Sequence, residues 1–264
     1  MDEGLVRTLL EEASGALRQL LAPQELLPVL GITSQASADE LVRGIRELLQ
    51  GTSGNFRIDQ PYFSQVYALV ALLGESQPRE ALDIVTRSGL LLEDLLREYP
   101  QQALAIVASD MDQVADHIVG TEGHGRTPQR LVHAIVGQDP LLAARLVTRL
   151  ESRSPSAVQE ALIYFAYDTY RKARLPSLEV SVEKDGLFLL ALADLQGDRW
   201  VTERMGGAIA TYDGYAKEDT VPPDFLQAYR NTLAAAADSL DNPDAQARLS
   251  SIVQGAFIGA GLAY

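Results

Sequence analysis

The sequence predicts a mostly α-helical protein, an irregular helical stack or solenoid-like bundle that carries one small β-hairpin near residues 178–193. Apolar residues recur every three or four positions along most of the chain, which is the spacing of helices that bury one face. Four prolines each follow a residue that can cap a helix. One short segment instead alternates apolar and polar residues with the period of a strand.

Three helices are predicted near the start of the chain. Residues 2–21 place leucine and alanine at helical spacing. A second helix begins at Ser37, with Glu40 three residues later, so that each side chain can bind the other's free backbone N–H. This helix ends at Gly51, a natural C-cap. Residues 61–74 are apolar on every side, which predicts a buried helix.

Four later helix starts combine a capping residue with a proline. Proline suits the first helical position because its missing N–H would have no partner there. These dipeptides therefore predict short helices joined by tight turns. They are Thr127-Pro128, Asp139-Pro140, Ser154-Pro155 and Asn242-Pro243.

The middle of the chain contains a weak internal similarity. Residues 78–85 resemble residues 100–107, and looser copies begin at Pro128 and Pro155. Stacked helices of this kind form solenoids or bundles with extended binding faces. Leucine-rich helices also resemble one another by chance, so a repeat origin stays open.

The segment from 178 to 193 departs from helical spacing. Apolar residues alternate with polar ones from 178 to 183, and Asp185-Gly186 is a strong signal for a hairpin turn. Residues 187–193 would then return as the second strand. The acidic side chains of this segment exclude a DNA-binding wing, because phosphates would repel them.

The remaining chain predicts further helices after the hairpin. Trp200 to Tyr212 and residues 224–240 have helical spacing, and Gly214 with the run 220–223 marks a loop between them. The sequence thus divides into 1–175, a helical stack with weak internal repeats, and 176–264, the hairpin with C-terminal helices packed on it. The two regions form either two domains or one continuous domain.

Composition excludes several classes of protein. The 264 residues include no cysteine and carry a formal net charge of −14. Absence of cysteine excludes disulfides, thiolate metal sites and cysteine nucleophiles. The acidic balance argues against a direct, broad nucleic-acid interface. We expect a cytoplasmic protein without a membrane span, because Met1-Asp2-Glu3 lacks the basic start of a signal peptide and the apolar runs are too short.

Common catalytic motifs are absent, so no catalytic residue and no cofactor are predicted. All three histidines of the chain fall in one short window, 112–133, together with several acids. A metal site is conceivable there, although the spacing matches no standard site. Its candidate ligands are Asp112, Asp116, His117, His124 and His133.

The same window contains a candidate anion site at a predicted helix start. Free N–H groups at a helix N-terminus, with arginine nearby, can hold a phosphate or carboxylate. The alternative is a flexible turn before a capped helix, which we favour. The candidate residues are Gly125, Arg126, Thr127 and Arg130.

The helix predicted from Ser154 to about residue 173 has two distinct faces. Val158, Leu162, Phe165 and Thr169 form one narrow stripe, which indicates a core face. Tyrosines and arginines lie opposite, and this composition is typical of interface hot spots. Alternatively the helix is sandwiched between two layers. The candidate partner-binding residues are Tyr164, Tyr167, Tyr170, Arg171 and Arg174.

These observations favour a non-catalytic helical module for protein interaction, an adaptor or assembly protein. Its partner would be another protein, with a basic surface to suit the acidic charge, or a second copy of the chain. One alternative is an enzyme that binds a metal or an anion through the 112–133 window. The other is an acidic decoy of a nucleic-acid-binding protein, which would need its carboxylates clustered on one face.

Overall fold

The computed structural model describes residues 42, 61–88, 90–120, 128–174, 182–218 and 220–262, and within them it contains twelve helices and no strand. The mostly α-helical class is therefore confirmed, and the hairpin is wrong. The helices are α1 (Pro61–Ser76), α2 (Pro78–Ser88), α3 (Leu92–Glu98), α4 (Pro100–Ser109), α5 (Met111–Gly120), α6 (Pro128–Val136), α7 (Pro140–Glu151), α8 (Pro155–Arg174), α9 (Val182–Gln196), α10 (Asp198–Lys217), α11 (Phe225–Asp238) and α12 (Pro243–Gly259).

Three of the four proline-based helix starts are capped as the sequence predicts. The Asp139 carboxylate accepts a hydrogen bond from the Leu142 N–H at 2.9 Å, at the start of α7. Asn242 caps α12 in the same way, and the Ser154 hydroxyl accepts from the third residue of α8 at 3.3 Å. Each contact satisfies an N–H that the helix leaves free. Helix α6 begins at Pro128, and its predicted cap lies outside the described residues.

The first of two compact units covers Met1–Asp110. In it α1 packs against α2 and α4, and α3 packs against α4. Residues 66–73 of α1 are buried almost throughout, as the all-round apolar pattern predicts. A Cβ on Gly74 would come within 2.7 Å of Ile106, so the absence of a side chain allows α1 and α4 to approach closely. The helices predicted over 2–21 and 37–51 lie outside the described residues, apart from Val42.

The second compact unit covers Met111–Tyr264 and is arranged around α9. Helices α6, α7, α8, α10, α11 and α12 all contact α9. Most of its apolar side chains are buried, and Phe188, Leu189 and Leu192 are completely so. The compact units thus divide after Asp110, whereas the sequence suggested a division at 175/176 or one continuous domain.

Helix α9 replaces the predicted hairpin. The segment 187–193, expected as a returning strand, is helical because leucine and alanine dominate it and both favour helices. The expected turn, Asp185-Gly186, lies buried in the first turn of α9. A Cβ on Gly186 would meet Leu249 at 3.0 Å and the Ala236 carbonyl at 3.2 Å, so this glycine permits close packing rather than a turn. Residues 178–181 lie outside the described residues.

Helix α10 also differs from its sequence-based prediction. It continues through Gly214 to Lys217, beyond the loop predicted at that glycine. Its close contact with α12 is formed at small residues: a Cβ on Gly206 would lie 3.2 Å from the Ala256 carbonyl, and one on Gly255 would lie 3.0 Å from Thr202. Gly206 and Gly255 therefore allow α10 and α12 to pack closely. No helix within the described ranges combines the length and apolarity that crossing a membrane requires.

Candidate functional site

Helix α8 carries the predicted tyrosine face, and its helical phase agrees with the prediction. The four residues of the expected core stripe, Val158, Leu162, Phe165 and Thr169, are all buried. The Phe165 ring contacts Phe188 of α9 at 5.1 Å between centroids. The opposite side of α8 is therefore the side that holds the tyrosines.

The structure divides the predicted tyrosines according to exposure. Tyr170 is only 5% exposed, whereas Tyr167 is 38% exposed. Tyr164 is half-buried, and its ring makes an edge contact with His133 at 5.8 Å between centroids. The sandwiched arrangement therefore applies to Tyr170, whereas Tyr167 remains accessible to solvent.

Phe225, the first residue of α11, is the centre of an aromatic cluster. Its fully buried ring lies 4.5 Å from the Tyr170 centroid and 4.2 Å from the Tyr212 centroid. Tyr167 is nearly parallel to it, with an interplanar angle of 12° at 6.4 Å. Rings from α8 and α10 thus cover one phenylalanine, which fixes the orientation of each tyrosine.

An open depression of about 330 Å³ adjoins this cluster. We call it the tyrosine groove. The Tyr215 ring stands at 81° to Tyr212, with their centroids 5.6 Å apart, so two of its walls meet as a corner. The groove is lined by Tyr167, Tyr212, Tyr215, Glu218, Thr220 and Val221.

The charges around the tyrosine groove are unevenly paired. Asp213 pairs with Lys217 at 2.5 Å, and Asp224 pairs with Arg174. Glu218 is exposed and has no ion-pair partner among the residues that the structure describes. The groove therefore presents one uncompensated carboxylate beside its aromatic walls.

Tyr212 is held as a neutral phenol. Burial, with the neighbouring phenols of Tyr215, Tyr167 and Tyr164, raises the pKa of Tyr212 far above its ordinary value. Its hydroxyl donates a hydrogen bond to the Ile163 carbonyl at 3.0 Å. This bond ties α10 to α8 and holds the inner wall of the groove in place.

The two predicted arginines of α8 have different surroundings. The Arg174 guanidinium lies 5.5 Å from the Tyr170 ring centroid and pairs with Asp224, so it is already engaged within the chain. Arg171 is exposed. Of the two arginines, Arg174 therefore contacts the aromatic cluster, and Arg171 makes no such contact among the residues that the structure describes.

Sequence reasoning missed Tyr212 and Tyr215 as members of this site. The sequence predicts a helix from Trp200 to Tyr212 and a loop at Gly214, so Tyr215 falls beyond the predicted helix. Their spacing of three residues on one continuous helix is the signal that would have placed them on one face.

In the 112–133 window, Asp112 and Asp116 lie one turn apart on α5. They bind Arg153, with distances of 2.8 Å and 2.5 Å to its guanidinium nitrogens. His117 is half-buried, and burial lowers its pKa. His133 pairs with Asp168 instead. Within the described ranges, no three potential ligands come together as a metal site.

The rest of that window lies largely outside the described residues. This applies to the candidate ligand His124 and to three of the four candidate anion-binding residues: Gly125, Arg126 and Thr127. The fourth, Arg130, is exposed in the first turn of α6. The anion site therefore stays a prediction.

A buried charged network, also missed by sequence reasoning, joins α8 to α9. The Lys172 ammonium binds Asp185 at 2.7 Å and Asp168 at 3.3 Å. The Thr169 hydroxyl donates to the other Asp185 oxygen at 3.1 Å. A polar threonine within the apolar stripe of α8 was the available signal, because buried polar groups require partners.

The two carboxyl groups of this network respond differently to their surroundings. Burial raises the pKa of Asp185 in spite of the Lys172 charge. Burial would also raise the pKa of Asp168, but the hydrogen bond from His133 and the Lys172 charge outweigh it and lower that pKa. Asp168 thus also connects α8 to α6 through His133.

No protein-family model, curated protein or solved structure significantly matches this chain. Its function is therefore inferred from the geometry and charge of the tyrosine groove and of the buried network.

Proposed function

We propose that this protein is a non-catalytic helical interaction module, and that it binds a partner protein through the tyrosine groove. The observation that carries the proposal is the pair of accessible rings above a buried aromatic floor: Tyr167 is 38% exposed and Tyr215 is 42% exposed. Tyrosine is enriched at binding hot spots because its ring supplies contact area and its hydroxyl supplies a hydrogen bond.

The fixed geometry of the groove supports this role. Tyr167 packs against Phe225, and the Tyr212 hydroxyl is bound to the α8 backbone. The Arg174–Asp224 pair connects the end of α8 to the start of α11. Side chains that are ordered before binding lose less conformational entropy when a partner arrives, so a given contact area yields more affinity.

Charge favours a partner with a basic surface. The chain carries a net charge of −14, and Glu218 adds an uncompensated carboxylate to the groove itself. Complementary charge accelerates encounter and discriminates against acidic partners. We expect the module to act in the cytoplasm.

The test is affinity capture with a matched pair of double variants, followed by binding measurements on the purified pair. Tyr167→Ala/Tyr215→Ala removes both accessible rings. Leu141→Ala/Leu195→Ala removes two exposed apolar side chains elsewhere in the same unit. We expect the tyrosine variant to weaken the purified complex by about 30-fold or more, the effect of losing a hot spot, and the leucine variant to bind like the wild type.

Equal affinity for the wild type and the folded tyrosine variant would reject the groove as the binding site. Circular dichroism and thermal unfolding of both variants check that they remain folded. A captured protein supports the proposal only when it also binds in purified form and loses affinity with the tyrosine variant.

The enzyme hypothesis has less support. Asp112 and Asp116 already hold Arg153, and His133 holds Asp168. Elemental analysis of the purified protein tests it: one equivalent of metal, lost on substitution of His117 and His124, would favour a metal-binding enzyme. The decoy hypothesis still requires a cluster of unpaired carboxylates on one face. Four acids of the 112–133 window and of the region around the groove instead pair with arginine or lysine of the same chain: Asp112, Asp116, Asp213 and Asp224.

A further inference from the structure

Elsewhere in the second unit, the protein pairs an arginine with an aromatic face and a carboxylate. Arg174 lies 5.5 Å from the Tyr170 ring centroid and pairs with Asp224. Arg204 lies 5.6 Å from the Trp200 ring centroid and pairs with Glu151. In both places a guanidinium interacts with a ring face while its N–H groups meet a carboxylate, which is the arrangement that its planar, charged fork favours.

The tyrosine groove repeats this composition without the arginine. Its exposed ring is Tyr215, which stands at 81° to the largely buried ring of Tyr212, and its carboxylate is Glu218. Among the described residues, no arginine or lysine stands over either ring or pairs with that carboxylate. The volume of about 330 Å³ leaves ample room for one guanidinium group.

We propose that the tyrosine groove is a receptor for a single arginine side chain of the partner protein. The guanidinium lies against the Tyr215 ring, in the corner that this ring forms with Tyr212, and donates hydrogen bonds to the Glu218 carboxylate, while Tyr167 covers the aliphatic part of the side chain. This inference rests on the proposed function in using the same groove, and it names the chemical group that the groove recognises.

Arginine fits these surroundings better than lysine does. A guanidinium is planar and weakly hydrated, so it can stack on a ring and still form paired hydrogen bonds with a carboxylate. An ammonium group is compact and strongly hydrated, and it loses more on leaving water. The preference for arginine over lysine is therefore a specific consequence of the proposal.

The experiment is an NMR titration of the full-length protein, labelled in its tyrosine rings, with N-acetyl-arginine amide at low salt. We expect saturable shifts of the Tyr167, Tyr212 and Tyr215 resonances. N-acetyl-citrulline amide is the matched probe, because it has nearly the same shape without the charge. The citrulline probe should bind at least about five-fold more weakly, which corresponds to the loss of one cation–π contact. The affinity of Nα-acetyl-lysine amide, whose side-chain ammonium is free, should lie between those of the arginine and citrulline probes.

Variants separate the two kinds of contact. Tyr215→Leu keeps apolar area but loses the ring, and should weaken arginine binding about five-fold, whereas Tyr215→Phe should retain it. Glu218→Gln should weaken binding about two- to five-fold at low salt and remove most of its salt dependence. The exposed-site control Leu195→Ala should change nothing.

Equal affinity for citrulline and arginine, or shifts that bypass the three groove tyrosines, would overturn the proposal. Tighter binding of a trimethyl-lysine derivative than of arginine would also overturn it. These outcomes are independent of the partner experiment. Arginine binding without any groove-dependent partner would leave the cation site standing and reject the proposed function. A groove-dependent partner without arginine binding would reject the arginine site and leave the proposed function standing.

Discussion

Helix α8 has buried charged groups where it meets α9 and partly exposed tyrosine rings where it meets α10 and α11. On the first side, Lys172 and Asp185 form an ion pair in which the Asp185 side chain is fully inaccessible. On the second side, Tyr167 remains 38% exposed. Charges usually lie outside a protein and large rings inside it. The reversal indicates that the two sides of the helix have different roles.

The buried charged network between α8 and α9 affects how these two helices are positioned. Removing two charges from water costs several kcal/mol for each ion, and their attraction offsets that cost only when hydrogen bonds complete the pair. Asp185 has such bonds from Lys172 and Thr169. A displacement of α9 along α8 would break them, so the network favours one register of the two helices over others.

We propose that the exposed tyrosine side of α8 serves recognition. The tyrosine rings are ordered by contacts with Phe225 and by the hydrogen bond of Tyr212, yet two of them retain large accessible surfaces. Order without full burial is expected of a binding site and not of a core.

The largest expected effect is on the buried side. Lys172→Met leaves Asp185 and Asp168 without their ammonium partner, and we expect a loss of about 3–5 kcal/mol in the free energy of unfolding, measured in urea. The matched control is Lys217→Met, which breaks the exposed pair with Asp213 and should cost about 0.3–0.5 kcal/mol. Adding Asp185→Leu to the Lys172 variant should restore most of the loss.

A loss below about 1 kcal/mol for Lys172→Met would contradict this account, because an unpaired buried carboxylate is expected to cost more than that. A double variant no more stable than the single one would show that Asp185 is needed for packing and not as a charge.

The second prediction compares two tyrosines of the same helix. Tyr170→Ala should destabilise the fold by about 3 kcal/mol or more, because a buried ring against Phe225 is lost. Tyr167→Ala should cost about 1 kcal/mol or less while weakening the partner complex. Equilibrium unfolding of both variants measures the difference. Equal losses would mean that Tyr167 belongs to the core, and the binding proposal would then lose its main support.

Parts of this arrangement follow from local sequence. The capped starts of α7 and α12 depend on a side chain and the N–H groups two or three residues later, so spacing alone predicts them. The core stripe of α8 follows from its period. Both depend on residues of one helix, and this is why they could be identified without the structure.

Other parts depend on residues far apart in the chain. Asp185-Gly186 has the local chemistry of a turn. In the fold, however, the buried Asp185 forms an ion pair with Lys172, and the close packing of α11 and α12 against α9 requires Gly186. The groove depends on Phe225 of α11, whose ring contacts Tyr167 of α8 and Tyr212 of α10. Such long-range contacts leave no signal in the local sequence, which is why Asp185-Gly186 was interpreted as a hairpin turn. Tyr215 was missed for a different reason: the sequence predicts a loop at Gly214, whereas α10 continues to Lys217.

The third prediction tests the corrected role of Gly186. Gly186→Ala places a Cβ 3.0 Å from Leu249 and 3.2 Å from the Ala236 carbonyl. The neighbouring helices must move apart, and we expect a loss of about 1–3 kcal/mol, the usual cost of overpacking, in urea unfolding. A variant as stable as the wild type would show that α11 and α12 can shift freely, and the tight packing around α9 would then not require glycine.

The smallest expected effect lies at the groove and has the opposite sign. A Cβ on Gly214, between Tyr212 and Tyr215, meets nothing within 4 Å. Because alanine favours a helix interior more than glycine does, Gly214→Ala should raise the free energy of unfolding by about 0.5–1 kcal/mol. Partner affinity should stay the same or rise, since the corner between the two rings becomes stiffer. A more stable protein that loses its partner would show that the groove must open at Gly214 to bind, so the rings would act as a movable wall and not as a fixed one.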